Sequence, residues 1–100
     1  MKMLIAIGHF NVAPDLAPDL LEDLNAGRPA AVAGGAVFYH FAIDDADTGA
    51  ILVSECWADR ASLDRHLQTP HMTALLAKWG PRLTVDVLLY DASNPHRLGD

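Results

Sequence analysis

The chain has 100 residues, 51% of them hydrophobic and 20% charged, which suits one domain with a single modest core. Seven basic residues against 13 acidic ones give a formal charge of −6, so a phosphate backbone or an anionic membrane surface is repelled and neither is an expected partner. No apolar run reaches the roughly 20 residues of a membrane span, the opening residues 1–9 are too short for a signal-peptide core, and the lone Cys56 allows no intrachain disulfide; a cytoplasmic location is expected.

Residues 3–12 alternate, with Met3, Ile5, Ile7 and His9 on one face and Leu4, Ala6, Gly8 and Phe10 on the other. Both faces are apolar enough to predict a central strand. Ala13-Pro14-Asp15 turns the chain. Leu16, Leu20, Leu21 and Leu24 then form the apolar stripe of a helix, with Asp15, Asp19, Glu22 and Asp23 in its early turns or on its wet face. Pro18 fits the first turn, where its missing N–H leaves no bond unmade. Gly27 ends this helix and Pro29 bars a simple continuation. Residues 30–33 allow two readings, an added helical turn or a loop.

Gly34-Gly35 leads into a strand over residues 36–43, rich in β-branched and aromatic residues, and residues 44–49 form a hairpin loop to a third strand over 50–58. These two strands pair antiparallel. In the third, Ile51, Val53, Glu55 and Trp57 share one face, so Glu55 points the same way as Trp57. Asp59 caps a helix that begins at Arg60 and buries Leu63 and Leu67. Thr69-Pro70 is a fresh cap and first helical position for a second piece carrying His71, Leu75, Leu76 and Trp79, which Gly80-Pro81 closes. A last strand covers residues 85–90, the single domain covers 1–91, and 92–100 is a polar tail.

This order specifies an α+β, ferredoxin-like βαββαβ sandwich, an antiparallel sheet with its helices on one face. Strands this apolar on both faces leave the second sheet face uncovered by the chain itself, so a homodimer with packed sheets is expected.

Trp57, His66 and His71 stand at the junctions of strand and helices, where an indole and two imidazoles can shape an apolar pocket with a few polar groups. Each has a structural reading too: Trp57 as core filling, His66 as a partner for a backbone carbonyl, and Glu55 as either a base or the partner of an arginine such as Arg82. His9 and His40 are strand histidines that line either the cavity or a dimer seam. His66 and His71 are five residues apart with Pro70 between them, and Cys56 completes no ligand spacing, so no metal is expected. Gly34-Gly35 lacks the surroundings of a phosphate loop, and no nucleotide cofactor is expected.

The Gly34-Gly35-Ala36-Val37-Phe38-Tyr39 stretch, the Glu55-x-Trp57-x-Asp59 strand end and the Leu63-x-x-His66-Leu67-x-x-Pro70-His71 helix resemble the antibiotic biosynthesis monooxygenase family. The resemblance implies a dimeric α+β barrel with a cavity between sheet and helices in each subunit. In enzymatic members it implies cofactor-free oxygenation of a phenol, quinol or polycyclic aromatic by O₂. Trp57, His66, His71 and Tyr39 match the family's residues. Val53 departs from it: aromatic polyketide oxygenases carry an asparagine there, and Asn11 on the first strand is the available substitute.

Deprotonating a phenol needs a base with a pKa near the working pH, and imidazole is the usual choice. His71, at a helix start, meets the positive end of a dipole that favours its neutral, basic form. The expected catalytic residues are therefore His71 and His66, with Trp57, Tyr39, Glu55, His9, Asn11 and His40 as substrate contacts. A non-catalytic dimer that binds a small ligand and a haem-binding or haem-degrading protein are the alternatives for the same fold.

Overall fold

A computed structural model describes residues 2–99. Strand β1 (Met3–Asn11) is followed by a 3-10 turn (Pro14–Leu16) and helices α1 (Ala17–Ala26) and α2 (Arg28–Ala33). Strands β2 (Ala36–Asp45) and β3 (Ala50–Trp57) form a hairpin, helices α3 (Arg60–Leu67) and α4 (Pro70–Trp79) follow, and a second 3-10 turn (Gly80–Arg82) leads to β4 (Thr84–Ala92). The sheet order is β2-β3-β1-β4, antiparallel throughout, with β1 in the interior as its two apolar faces require.

Local chemistry explains the boundaries. Asp59 accepts a hydrogen bond from the Ser62 N–H at 2.8 Å, and Thr69 one from the Met72 N–H at 3.3 Å, so both caps form as expected. Residues 30–33 are helical: Gly27 keeps right-handed geometry (φ −82°), its carbonyl accepts from the Ala31 N–H, and Pro29 falls in the first turn of α2. Gly35 makes the turn into β2 at φ +113°, where a Cβ would lie 2.6 Å from Ser62 Oγ. Strand β4 runs past the expected 85–90 at both ends, because β1 pairs with it from Asn11↔Thr84 to Met3↔Ala92. Backbone pairing to a nine-residue central strand holds Asp86 and Asp91 despite their polarity.

The register puts Leu4, Ala6, Tyr39, Phe41, Ile51, Val53, Glu55 and Trp57 on the face toward the helices, where Leu20 and Leu24 from α1 and Trp79 from α4 complete the core. On the opposite face Ile7, Leu52, Leu88 and Tyr90 remain exposed, Leu88 by 61%, with no element over them. No helix among the described residues is long and apolar enough to cross a membrane.

Candidate active site

Between the sheet and helices α1, α3 and α4 lies a cavity of about 220 Å³. Its walls include Phe10, Phe41, Leu24, Met72 and Leu75, and its polar side chains are Tyr39, Glu55 and His66. The β2–β3 register creates the polar end: Tyr39 stands directly opposite Glu55, and period-two alternation sends both toward the helices. Two residues beyond Glu55 on the same face, Trp57 donates its indole N–H to Glu55 Oε1 at 2.9 Å. The Asp59 cap sets the start of α3, whose last turn delivers His66 to the same place. His66 Nε2 lies 3.4 Å from the Tyr39 hydroxyl, and the imidazole centroid is 4.6 Å from the Trp57 ring and 5.3 Å from the Tyr39 ring.

Burial sets the protonation states. It pushes the Glu55 carboxyl above its usual range, with the Trp57 N–H pulling part of the way back. Burial, with a smaller contribution from His71, lowers the His66 pKa and favours the neutral imidazole. Tyr39 is pushed up by burial and then by Glu55, so its hydroxyl keeps its proton. The site thus offers a neutral imidazole, a phenol donor and a carboxyl whose ionisation is suppressed, all inside an apolar shell.

Four of the expected residues, Trp57, Glu55, Tyr39 and His66, come together here. His71 does not. It opens α4 against the α1–α2 junction, where its Nε2 is buried without a hydrogen-bond partner, close enough to Gly27 that a Cβ there would lie 2.8 Å from it. Its other neighbours are Asp23 and Lys78 along a groove separate from the cavity. His9 and Asn11 fall on the open sheet face, since Gly8 and Phe10 point to the helices, and His9 pairs with Asp44 at 2.8 Å. His40 is likewise turned outward between Tyr39 and Phe41. Asn11 consequently lies on the sheet face opposite Val53 and does not replace the missing asparagine. The Glu55–Arg82 pairing is also absent: Arg82 donates to the Lys78 carbonyl and its guanidinium stacks 4.5 Å from the Trp79 ring.

Sequence reasoning missed Arg28, which donates to the Tyr39 carbonyl at 2.7 Å and to Asn25 Oδ1 at 2.8 Å, tying the α1–α2 junction to the strand that carries Tyr39. It also missed Phe10 and Phe41 as cavity walls, although their alternation along β1 and β2 marked the correct face. Among the described residues, no group of three or more His, Cys, Asp or Glu side chains is arranged to hold a metal ion.

Comparison with known proteins bears on the fold and the family. A curated protein of Synechocystis sp., itself uncharacterised, is 28% identical over 76 residues; that match takes in 75% of this chain, which spans about half (52%) of the relative's length. Among solved structures, PA3566 of Pseudomonas aeruginosa matches at 26% identity and TM-score 0.71, covering 95% of this chain and 94% of the other. A provisionally named antibiotic biosynthesis monooxygenase of Chloroflexus aurantiacus shares the fold at 24% identity and TM-score 0.78, covering 97% and 99% of the two chains. A similarly named protein of Deinococcus radiodurans does so at 18% identity and TM-score 0.78 over the full length of both. The model of one family, antibiotic biosynthesis monooxygenase, matches residues 3–78, a span that runs from β1 into the last turn of α4 and holds every polar residue of the cavity, and the chain belongs to that family.

Proposed function

We propose that the chain is a cofactor-free monooxygenase that oxidises a small quinol or phenol with O₂ in the cavity between sheet and helices. The observation that carries this reading is an apolar cavity with one polar end, where Tyr39, Glu55 and His66 converge. A cavity of roughly 150 Å³ accepts benzene, so about 220 Å³ accommodates one substituted ring or two fused rings in preference to a larger polycycle. His66 takes the substrate hydroxyl proton, and the resulting anion, poorly solvated among Phe10, Phe41 and Leu24, is a strong reductant toward O₂. For a hydroquinone the balance is quinol plus O₂ giving hydroxyquinone plus water: one ring C–H becomes C–OH and two electrons leave the ring hydroxyls. Glu55, fixed by Trp57, and the Tyr39 hydroxyl orient the substrate oxygens. The base role expected of His71 passes to His66, because His71 faces another groove.

Two copies pair through the open sheet face, which exposes Ile7, Leu52, Leu88 and Tyr90 side by side, and the protein works in the cytoplasm. Oxygen uptake is measured with a panel of benzo- and naphthohydroquinones, simple phenols and anthrones, without flavin, nicotinamide or metal. Uptake with the smaller quinols at one O₂ per quinone formed is expected; no uptake with any member refutes the reading.

A further inference from the structure

His66 borders two cavities. Behind the large one, a second cavity of about 70 Å³ is lined by Ala30, Ala31, Gly34, Trp57, Arg65 and Thr69, with His66 again in its wall. Tyr39 and Glu55 line only the larger cavity, and Trp57 only the smaller; the imidazole alone of the site's polar groups belongs to both. At roughly 30 Å³ per molecule, the small cavity holds about two waters. Its polar wall, Arg65 and Thr69 beside the imidazole, can hydrogen-bond them, and Ala30, Gly34 and Arg65 are all exposed residues that connect it to solvent.

We infer that this rear cavity is a hydrated passage through which His66 exchanges its proton with solvent, from the side opposite the aromatic cavity. The inference rests on the base role proposed for His66. A bound aromatic fills the apolar cavity and dries it, so an imidazole that must stay neutral while it holds the substrate proton at one nitrogen needs another side on which to exchange the other proton with solvent. Imidazole suits this task because it accepts at one ring nitrogen and releases at the other. Nε2 faces the Tyr39 hydroxyl, which lines the substrate side, and Nδ1 is the nitrogen that delivers to the rear waters. One proton enters at Nε2 and one leaves at Nδ1; when the O–O bond breaks, Nε2 returns a proton to the oxygen that becomes water and Nδ1 recovers one from the rear waters, so the imidazole regains its starting tautomer and the cycle releases no net proton. Thr69 is held in place for this role, its hydroxyl donating to the His66 carbonyl at 2.9 Å.

The test blocks one side at a time. Ala30→Leu, at an exposed helical position, fills the rear cavity, with Ala30→Met as a more flexible filler should the first variant fold poorly; Leu76→Trp narrows the front. Exchange of the His66 ring N–H with water is read by NMR on the ¹⁵N-histidine-labelled protein. The rear variants are expected to slow exchange at least ten-fold while Leu76→Trp leaves it within about two-fold; the reverse order, or no effect of the rear variants, overturns the inference. A crystal structure is expected to show ordered water within hydrogen-bonding distance of His66 in the rear cavity, and a dry cavity overturns it equally. These readouts need no turnover, so they stand apart from the oxygen assay: absence of uptake sinks the monooxygenase reading, and the exchange measurement still decides the passage. With turnover present, Ala30→Leu should lower kcat about ten-fold, raise its solvent deuterium isotope effect and leave KM within two-fold.

Discussion

Replacing Trp57 by phenylalanine tests how the polar end of the cavity is held. The change removes the N–H donated to Glu55 at 2.9 Å and part of a ring that is wholly buried. Loss of about three ring atoms, at about 0.8 kcal/mol per carbon group, costs about 2 kcal/mol at any pH. Loss of the hydrogen bond depends on pH: about 0.5–1.5 kcal/mol when the carboxyl is neutral and about 1.5–3 kcal/mol when it is ionised. The folded pKa of Glu55 is raised by burial. Its contribution to stability is therefore complete below the unfolded value and is lost as pH rises through the folded value, a loss that the indole N–H limits. Without that N–H the folded pKa climbs further, because the bond to the indole favours the ionised carboxylate. Urea denaturation of wild type and Trp57→Phe at about pH 5 and pH 8 should thus show a cost of about 3 kcal/mol at the lower pH and about 4 kcal/mol at the higher. In a Glu55→Gln background the increment should vanish. An equal cost at both pH values in the wild-type background would show that the indole acts only as core filling and refute the reasoning.

His66→Ala should lower oxygen uptake by about 10²-fold or more, whereas His71→Ala should change it less than about three-fold; equal losses in both would place the base elsewhere. The lowered His66 pKa means that stability from this group is complete above its unfolded pKa and is lost as pH falls through the folded value, so His66→Gln should flatten the acid limb of the stability profile in thermal melts. Gly27→Ala should cost about 1–2 kcal/mol by driving a methyl into the His71 ring, and His71→Ala should recover most of that loss in a double-mutant cycle of denaturation midpoints. Light scattering should report a dimer for wild type and a monomer for Leu88→Asp on the open sheet face; a wild-type monomer at micromolar concentration would rule out the proposed pairing.

The sheet, both helical units and the caps at Asp59 and Thr69 were legible because they depend on local signals: alternation, proline position and short polar side chains ahead of apolar stripes. The extension of β4 was not, since pairing with β1 overrides the composition of its ends. The polar end of the site was half legible. Alternation along β3 put Glu55 and Trp57 on one face, yet the bond between them competes with an arginine pairing that sequence cannot weigh. His66 and His71 have equal standing in the motif; only the break between α3 and α4, and the angle it imposes, decides which imidazole meets the cavity. For His9, Asn11 and His40 the alternation itself held the answer once Phe10 and Tyr39 were known to face the helices.

The cavity draws its polar and apolar parts from different elements. Tyr39 and Glu55 come from the paired strands β2 and β3, where a one-residue slip would turn both outward, and His66 from the capped helix α3. Helix α4 supplies only Met72, Leu75 and Leu76 to the walls. The polar end therefore rides on paired strands and a capped helix, while three of the nine apolar wall residues come from a helix that adds no polar group to the cavity. Such a division lets the width of the chamber drift through substitutions in α4 without disturbing the carboxyl, phenol and imidazole, so one set of polar groups can serve differently shaped ligands.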